Sequence, residues 1–139
     1  MKKGFEEIIR WFEKRNKLSW TITFLIAAAI FYFSSIEVYP TSKTLGIKAE
    51  IYHITAFLGF ALALLVSSTK RKKLSLIPLV ILISFFYAIL DEIHQIYTPG
   101  RFFSLEDLMW DTSGILIASL VYLIISIKTF KKLNKIVLK

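Results

Sequence analysis

The sequence predicts an all-α fold: an integral membrane four-helix bundle with both termini cytoplasmic, preceded by an N-terminal amphipathic interfacial helix. Three observations carry that prediction. The 139-residue chain is 55% hydrophobic and 15% aromatic, more apolar than an ordinary soluble domain. It holds four long uncharged runs, Leu18 to Ile36, Ile51 to Thr69, Leu74 to Leu90 and Thr112 to Ile127. Clusters of Lys and Arg border those runs on one side of a bilayer only. A hydrocarbon core of about 30 Å asks for about 20 helical residues at 1.5 Å each. Lipid offers backbone amides no partner, so a spanning segment satisfies its own as a helix.

Taken in order, residues 1–17 form the interfacial helix. In GFEEIIRWFEKRNK the apolar Phe5, Ile8, Ile9 and Phe12 recur at helical spacing, with Glu6, Glu7, Arg10 and Lys14 elsewhere. Such a helix lies in the inner interface with Trp11 near the headgroups. The spanning helices are expected at about 18–37, 49–69, 74–95 and 105–127, the last reaching about 20 residues if Leu108 to Asp111 begin it. The first run is longer than a signal core of roughly 7 to 15 residues, and SSIEVYP offers no small-x-small cleavage site, so it is expected to be retained. Pro78 lies near an end of the third helix, a slight signal for a broken one. Residues 128–139 form a basic tail in which Phe130, Leu133 and Val137 repeat the interfacial pattern more weakly. The whole is one domain, 1–139.

The net charge of +8 is topological rather than a nucleic-acid footprint. Fifteen of the eighteen basic residues lie before the first run (Lys2, Lys3, Arg10, Lys14, Arg15, Lys17), between the second and third (Lys70, Arg71, Lys72, Lys73), or after the fourth (Lys128, Lys131, Lys132, Lys135, Lys139). Cytoplasmic loops carry the Lys and Arg excess, which puts both termini inside a multi-pass protein of the cell membrane and in contact with anionic lipid. Lys43, Lys48 and Arg101 fall on the outer side, with Glu37, Glu50, Asp91, Glu92, Glu106, Asp107 and Asp111. Cysteine is absent, which excludes disulfides and thiolate chemistry.

Depth singles out the functional candidates. Ser34 lies 17 residues after Lys17, His53 lies 17 before Lys70, Asp91 lies 18 after Lys73, and Asp111 lies 17 before Lys128. Each is therefore about 26 Å from the inner boundary, and four helices bring polar side chains to one outer layer. Asp91, His94 and Gln95 share a helix face, with Glu92 about 100° away. Asp107, Asp111 and Gly114 share one on the fourth helix. Acids at membrane depth face a bundle interior or a wet cavity. The expectation is an outward-opening pocket lined by His53, Asp91, Glu92, His94, Gln95 and Asp111. Pro99 and Gly100 form a turn, and Ser104 caps the fourth helix with Glu106 and Asp107 in its first turn. This holds Arg101 over the acidic helix ends, either to neutralise Asp91, Glu92 or Asp107 or to hold a phosphate. Asp107 likewise reads as a binding residue or as a helix N-terminus acid.

DEIHQIYTPGR (Asp91 to Arg101) followed by Asp107, Asp111 and Gly114 resembles the VanZ-like family. These are small membrane proteins named after a glycopeptide-resistance accessory protein associated with teicoplanin. FYFSS at Phe31 to Ser35, and His53 with Phe57 and LGF at Leu58 to Phe60, are also similar to the family pattern, which extends roughly from Phe31 to Ala118. Departures are Glu50, where the family often has Lys, and Ala118, where it often has Gly; Asp111 falls where Asn or Asp is usual. The Glu50 change removes an anion-binding group from that helix end. The resemblance implies a membrane protein tied to envelope or antibiotic-resistance phenotypes and supplies no reaction.

Four functions fit the residues. In the first, the pocket recognises a lipid-linked or glycopeptide-like amphiphile, with Arg101 and Lys48 on an anionic head and Ser34, His53, Gln95 and the acids making hydrogen bonds. In the second, Asp91, Glu92, His53 and His94 act as acid and base, or with Asp111 bind a divalent metal, although no compact signature such as HExxH occurs. The third is proton-coupled transport, for which four helices would need a homo-oligomer. The fourth is a structural scaffold in which the polar layer fixes helix register.

Overall fold

The computed structural model describes residues 2–37, 45–70 and 73–137. Among these residues there are five α-helices and no strand. They are α1 (Lys2–Lys14), α2 (Asn16–Ser34), α3 (Leu45–Thr69), α4 (Ile77–Gln95) and α5 (Leu105–Val137), with a single 3₁₀ turn, Leu74–Leu76, leading into α4. Four of them contain stretches long and apolar enough to cross a bilayer: Asn16–Ser34, Ala49–Thr69, Leu74–Gln95 and Leu105–Thr129. Pro78 sits in the first turn of α4, where a missing N–H costs no helical hydrogen bond, so it starts this helix rather than breaking it. α5 runs on through Lys128 without interruption to Val137; the side chains of Phe130, Leu133 and Val137 lie outside the described residues.

Burial is distributed as lipid demands. On α2 the buried positions are Ser19, Thr23, Ile30 and Ser34, one stripe at helical spacing in which three of four are polar. The outward faces carry Phe24, Leu25, Leu82, Phe86 and Leu120, each more than half exposed. Apolar side chains gain nothing by leaving lipid, so small and hydrogen-bonding residues take the helix contacts. The buried hydroxyls are satisfied locally: Thr23, Ser67, Ser119 and Ser126 each donate to the carbonyl four residues back.

α3 is the central helix, and its most extensive partner is α5. Gly114 makes that contact possible, because a Cβ there would collide with the Ile54 carbonyl oxygen and come within 2.9 Å of the Leu58 nitrogen. α4 is tied to α2 by the Tyr87 hydroxyl, which donates to the Ala27 carbonyl at 2.8 Å. α1 turns back at Arg15 and buries Ile9 against the bundle, while Trp11 stays exposed with the Arg15 guanidinium 3.7 Å above its ring. The Tyr122 hydroxyl of α5 donates to Glu13 at 3.0 Å, a second tie from α1 to the bundle.

Candidate functional site

The end of the bundle away from α1 gathers polar side chains from α2, α3, α4 and α5. Ser34 Oγ donates to Asp91 Oδ1 at 2.7 Å, and Gln95 Nε2 donates to Asp91 Oδ2 at 3.1 Å and to Glu92 Oε1 at 3.3 Å. His53 Nδ1 lies 2.9 Å from Asp111 Oδ1. A carboxylate only accepts, so Nδ1 carries a ring proton. Asp107 Oδ2 stands 3.9 Å from Nε2. Glu92, His53 and Asp111 offer ligand atoms within 4.8 Å of one another. Three carboxyl groups, Asp91, Glu92 and Asp111, are therefore 4% exposed or less in one layer.

Helix ends hold this layer in position. Ser104 Oγ accepts the Asp107 N–H at 3.1 Å, the N-cap geometry its place before α5 predicts. The Ser104 N–H donates to Glu92 Oε2 at 2.8 Å, so the positive end of α5 faces a carboxylate. Thr98 to Arg101 form a tight turn: the Arg101 N–H donates to the Thr98 carbonyl at 3.1 Å, and Gly100 has φ 80°. With Pro99 before it, that is the type II arrangement, which requires a residue free to adopt positive φ. Thr98 Oγ1 donates to the Ser34 carbonyl at 3.2 Å and moors the turn to α2.

Arg101 departs from the sequence expectation. It forms no ion pair with Asp91, Glu92 or Asp107 among the described residues. Its Nε donates to the Ile36 carbonyl at 3.1 Å, Nη2 to the Phe33 carbonyl at 3.2 Å, and Nη1 to Gln95 Oε1 at 3.2 Å. The guanidinium thus closes the C-terminal end of α2, whose partial negative charge is about half an elementary charge. Two of its five N–H groups are left over.

His94 also departs from expectation. It turns away from the acids, with Nε2 2.9 Å from Ser35 Oγ and its ring stacked on Phe31 at 4.2 Å between centroids. The face of α4 that enters the layer is centred on Gln95, with Asp91 about 40° to one side, Glu92 about 60° to the other, and His94 about 100° off. That angle takes His94 out of the layer; Asp91, held by Ser34 and Gln95, is also not among the three groups whose ligand atoms converge, and Glu92 is. Glu50 is half-buried, and the Lys48 side chain lies outside the described residues.

An open cavity of about 460 Å³ adjoins the layer, lined by Phe33, Ile36, Ala49, Tyr52, His53, Gln95, Gly100, Arg101, Phe102 and Asp107. Asp91, Glu92 and Asp111 stand behind this wall instead of lining it as expected. Tyr52 is a lining residue the sequence reading missed; its hydroxyl is buried with no partner among the described residues. A tyrosine next to His53 at the start of an apolar run was the available signal. The cavity can take an anion at Arg101, apolar chain along Phe33, Ile36 and Phe102, a hydrogen bond from the Tyr52 hydroxyl, and ligand donors at the Asp107 carboxylate, with His53 beside them. A family model described as VanZ/LLP1 matches residues 5–126. Comparison with curated proteins and with solved structures finds no match.

Proposed function

The chain belongs to the VanZ/LLP1 family, and from that premise we propose that it recognises the anionic head of a lipid-linked or amphiphilic envelope molecule in an outward-facing cavity. In this reading it is a multi-pass protein of the cell membrane with both termini inside, and its binding of such a molecule underlies a role in glycopeptide (teicoplanin) resistance. Arg101 is the observation that carries the reading. A guanidinium whose three hydrogen bonds go to neutral acceptors keeps most of its charge and two N–H donors for a phosphate or carboxylate. The aromatic and aliphatic lining beside it suits the first carbons of a lipid chain. The basic clusters favour this orientation, and in it α1, with Ile9 buried and Trp11 exposed, serves as the inner interfacial anchor.

A polyprenyl phosphate tests this in nanodiscs by native mass spectrometry. Wild-type protein is expected to bind it in preference to neutral diacylglycerol, and Arg101→Ala to weaken it about tenfold to a hundredfold, the worth of one or two charge-assisted hydrogen bonds. Equal retention of diacylglycerol, or undiminished binding by Arg101→Ala, would overturn the reading. A cysteine introduced at Pro99 gives the orientation independently: it should react with a membrane-impermeant maleimide in intact cells.

A further inference from the structure

We propose that His53, Glu92 and Asp111 form a binding site for one divalent transition-metal ion, set in the wall behind the cavity. The proposal goes beyond anion recognition and is independent of what fills the cavity. Charge is the first argument. Asp91, Glu92 and Asp111 are buried together, and among the described residues no Lys or Arg pairs with them; Arg101 is linked to them through Gln95. Buried carboxylates without matching positive charge are expensive, and a dication supplies what this layer lacks.

Geometry is the second argument. The three side chains present ligand atoms within 4.8 Å of one another. Asp111 Oδ2 is fully buried with no hydrogen-bond partner among the described residues, so this carboxylate keeps an oxygen whose desolvation nothing offsets. His53 Nδ1 and Asp111 Oδ1 lie 2.9 Å apart, close to the spacing of about 3 Å between adjacent ligands on an ion with bonds of about 2.1 Å. The ion takes the place of the proton between them. With the ion on Nδ1 the ring proton is carried by Nε2, which faces Asp107 Oδ2 3.9 Å away; a shift of about 1 Å would make that carboxylate the outer partner of a ligating imidazole. Ser104 N–H and Gln95 Nε2 hold Glu92 in the same way.

One nitrogen and two carboxylates favour Zn²⁺, Mn²⁺ or Fe²⁺ over Ca²⁺ and Mg²⁺. His53 lines the cavity, which gives the ion a route from water. The test is titration of detergent-purified, chelator-treated protein with Zn²⁺ by calorimetry and with Mn²⁺ by electron paramagnetic resonance, with no lipid ligand added. One equivalent per chain is expected for the wild type and for His94→Gln, with a higher unfolding temperature when loaded. His53→Gln, Glu92→Gln and Asp111→Asn, each checked as monodisperse, are expected to lose that equivalent. The proposal is overturned if the wild type binds neither ion, if Mg²⁺ or Ca²⁺ binds as tightly, or if the three variants keep full stoichiometry. Because the wild type alone can fail, poor folding of a variant does not shelter the idea.

Discussion

At the end of the bundle nearest α1, Thr23 Oγ1 and Ser67 Oγ lie 3.0 Å apart, Thr69 Oγ1 donates to the Tyr122 hydroxyl at 2.6 Å, and that hydroxyl donates to Glu13. At the opposite end, Asp91, Glu92, Asp111 and His53 are just as buried. Both are polar networks in an apolar surrounding, yet their chemistry differs. The groups near α1 are mostly hydroxyls closed on one another or on backbone carbonyls, with the half-buried Glu13 as their one carboxylate, which suits helix-to-helix attachment. The far end is built from charge, and three of the four buried side-chain atoms without a partner among the described residues, Tyr52 OH, Trp110 Nε1 and Asp111 Oδ2, lie at that end. A closed network stabilises; one with valence to spare holds something else at the expense of the empty protein.

The harshest way to break this contrast is to pry apart the seam both ends share. Gly114→Val is expected to lose about 3 kcal/mol or more, since its side chain would press on the α3 backbone, which has nowhere to retreat. Thermal unfolding in detergent measures the loss, and lipid-phosphate binding should fall with it; retained binding would show that the two ends are independent. A smaller effect is expected from Tyr122→Phe. It strips Thr69 and Glu13 of a shared hydroxyl and should destabilise by about 2 kcal/mol while leaving polyprenyl phosphate affinity unchanged. The smallest effect carries the sharper information because its sign is opposite. In metal-free protein Asp111→Asn keeps an oxygen for His53 and removes one buried negative charge, so stability should rise by about 1 kcal/mol. A fall instead would make the far end a structural network like the near one.

Much of this was legible in the chain. Counting residues from the basic clusters brought Ser34, His53, Asp91 and Asp111 to one level, and the structure joins them there because helices of fixed rise starting from one plane must agree in depth. Ser104 announced the start of α5 for an equally local reason. Rotation about the helix axis was not legible. The positions three and four after Asp91 both qualify as its neighbours, and only the packing of α4 decides that the face centres on Gln95 and leaves His94 beside Phe31. Nor could the chain reveal that Arg101 would spend its donors on carbonyls 65 and 68 residues away. Backbone acceptors at a helix end have no side-chain signature.

The close approach at Gly114 also partitions motion. With backbone set against backbone at Gly114, and side-chain hydrogen bonds at His53–Asp111 and Thr69–Tyr122 on either side of it, α3 and α5 are joined along their length and are expected to move as one body. α2, by contrast, meets the cavity through the Phe33 and Ile36 carbonyls and the longer reach of Arg101. Any widening of the cavity to admit a bulkier guest therefore falls to α2 and the turn after α4. The paired helices carrying His53 and Asp111 stay in fixed register, like the jamb against which a door swings.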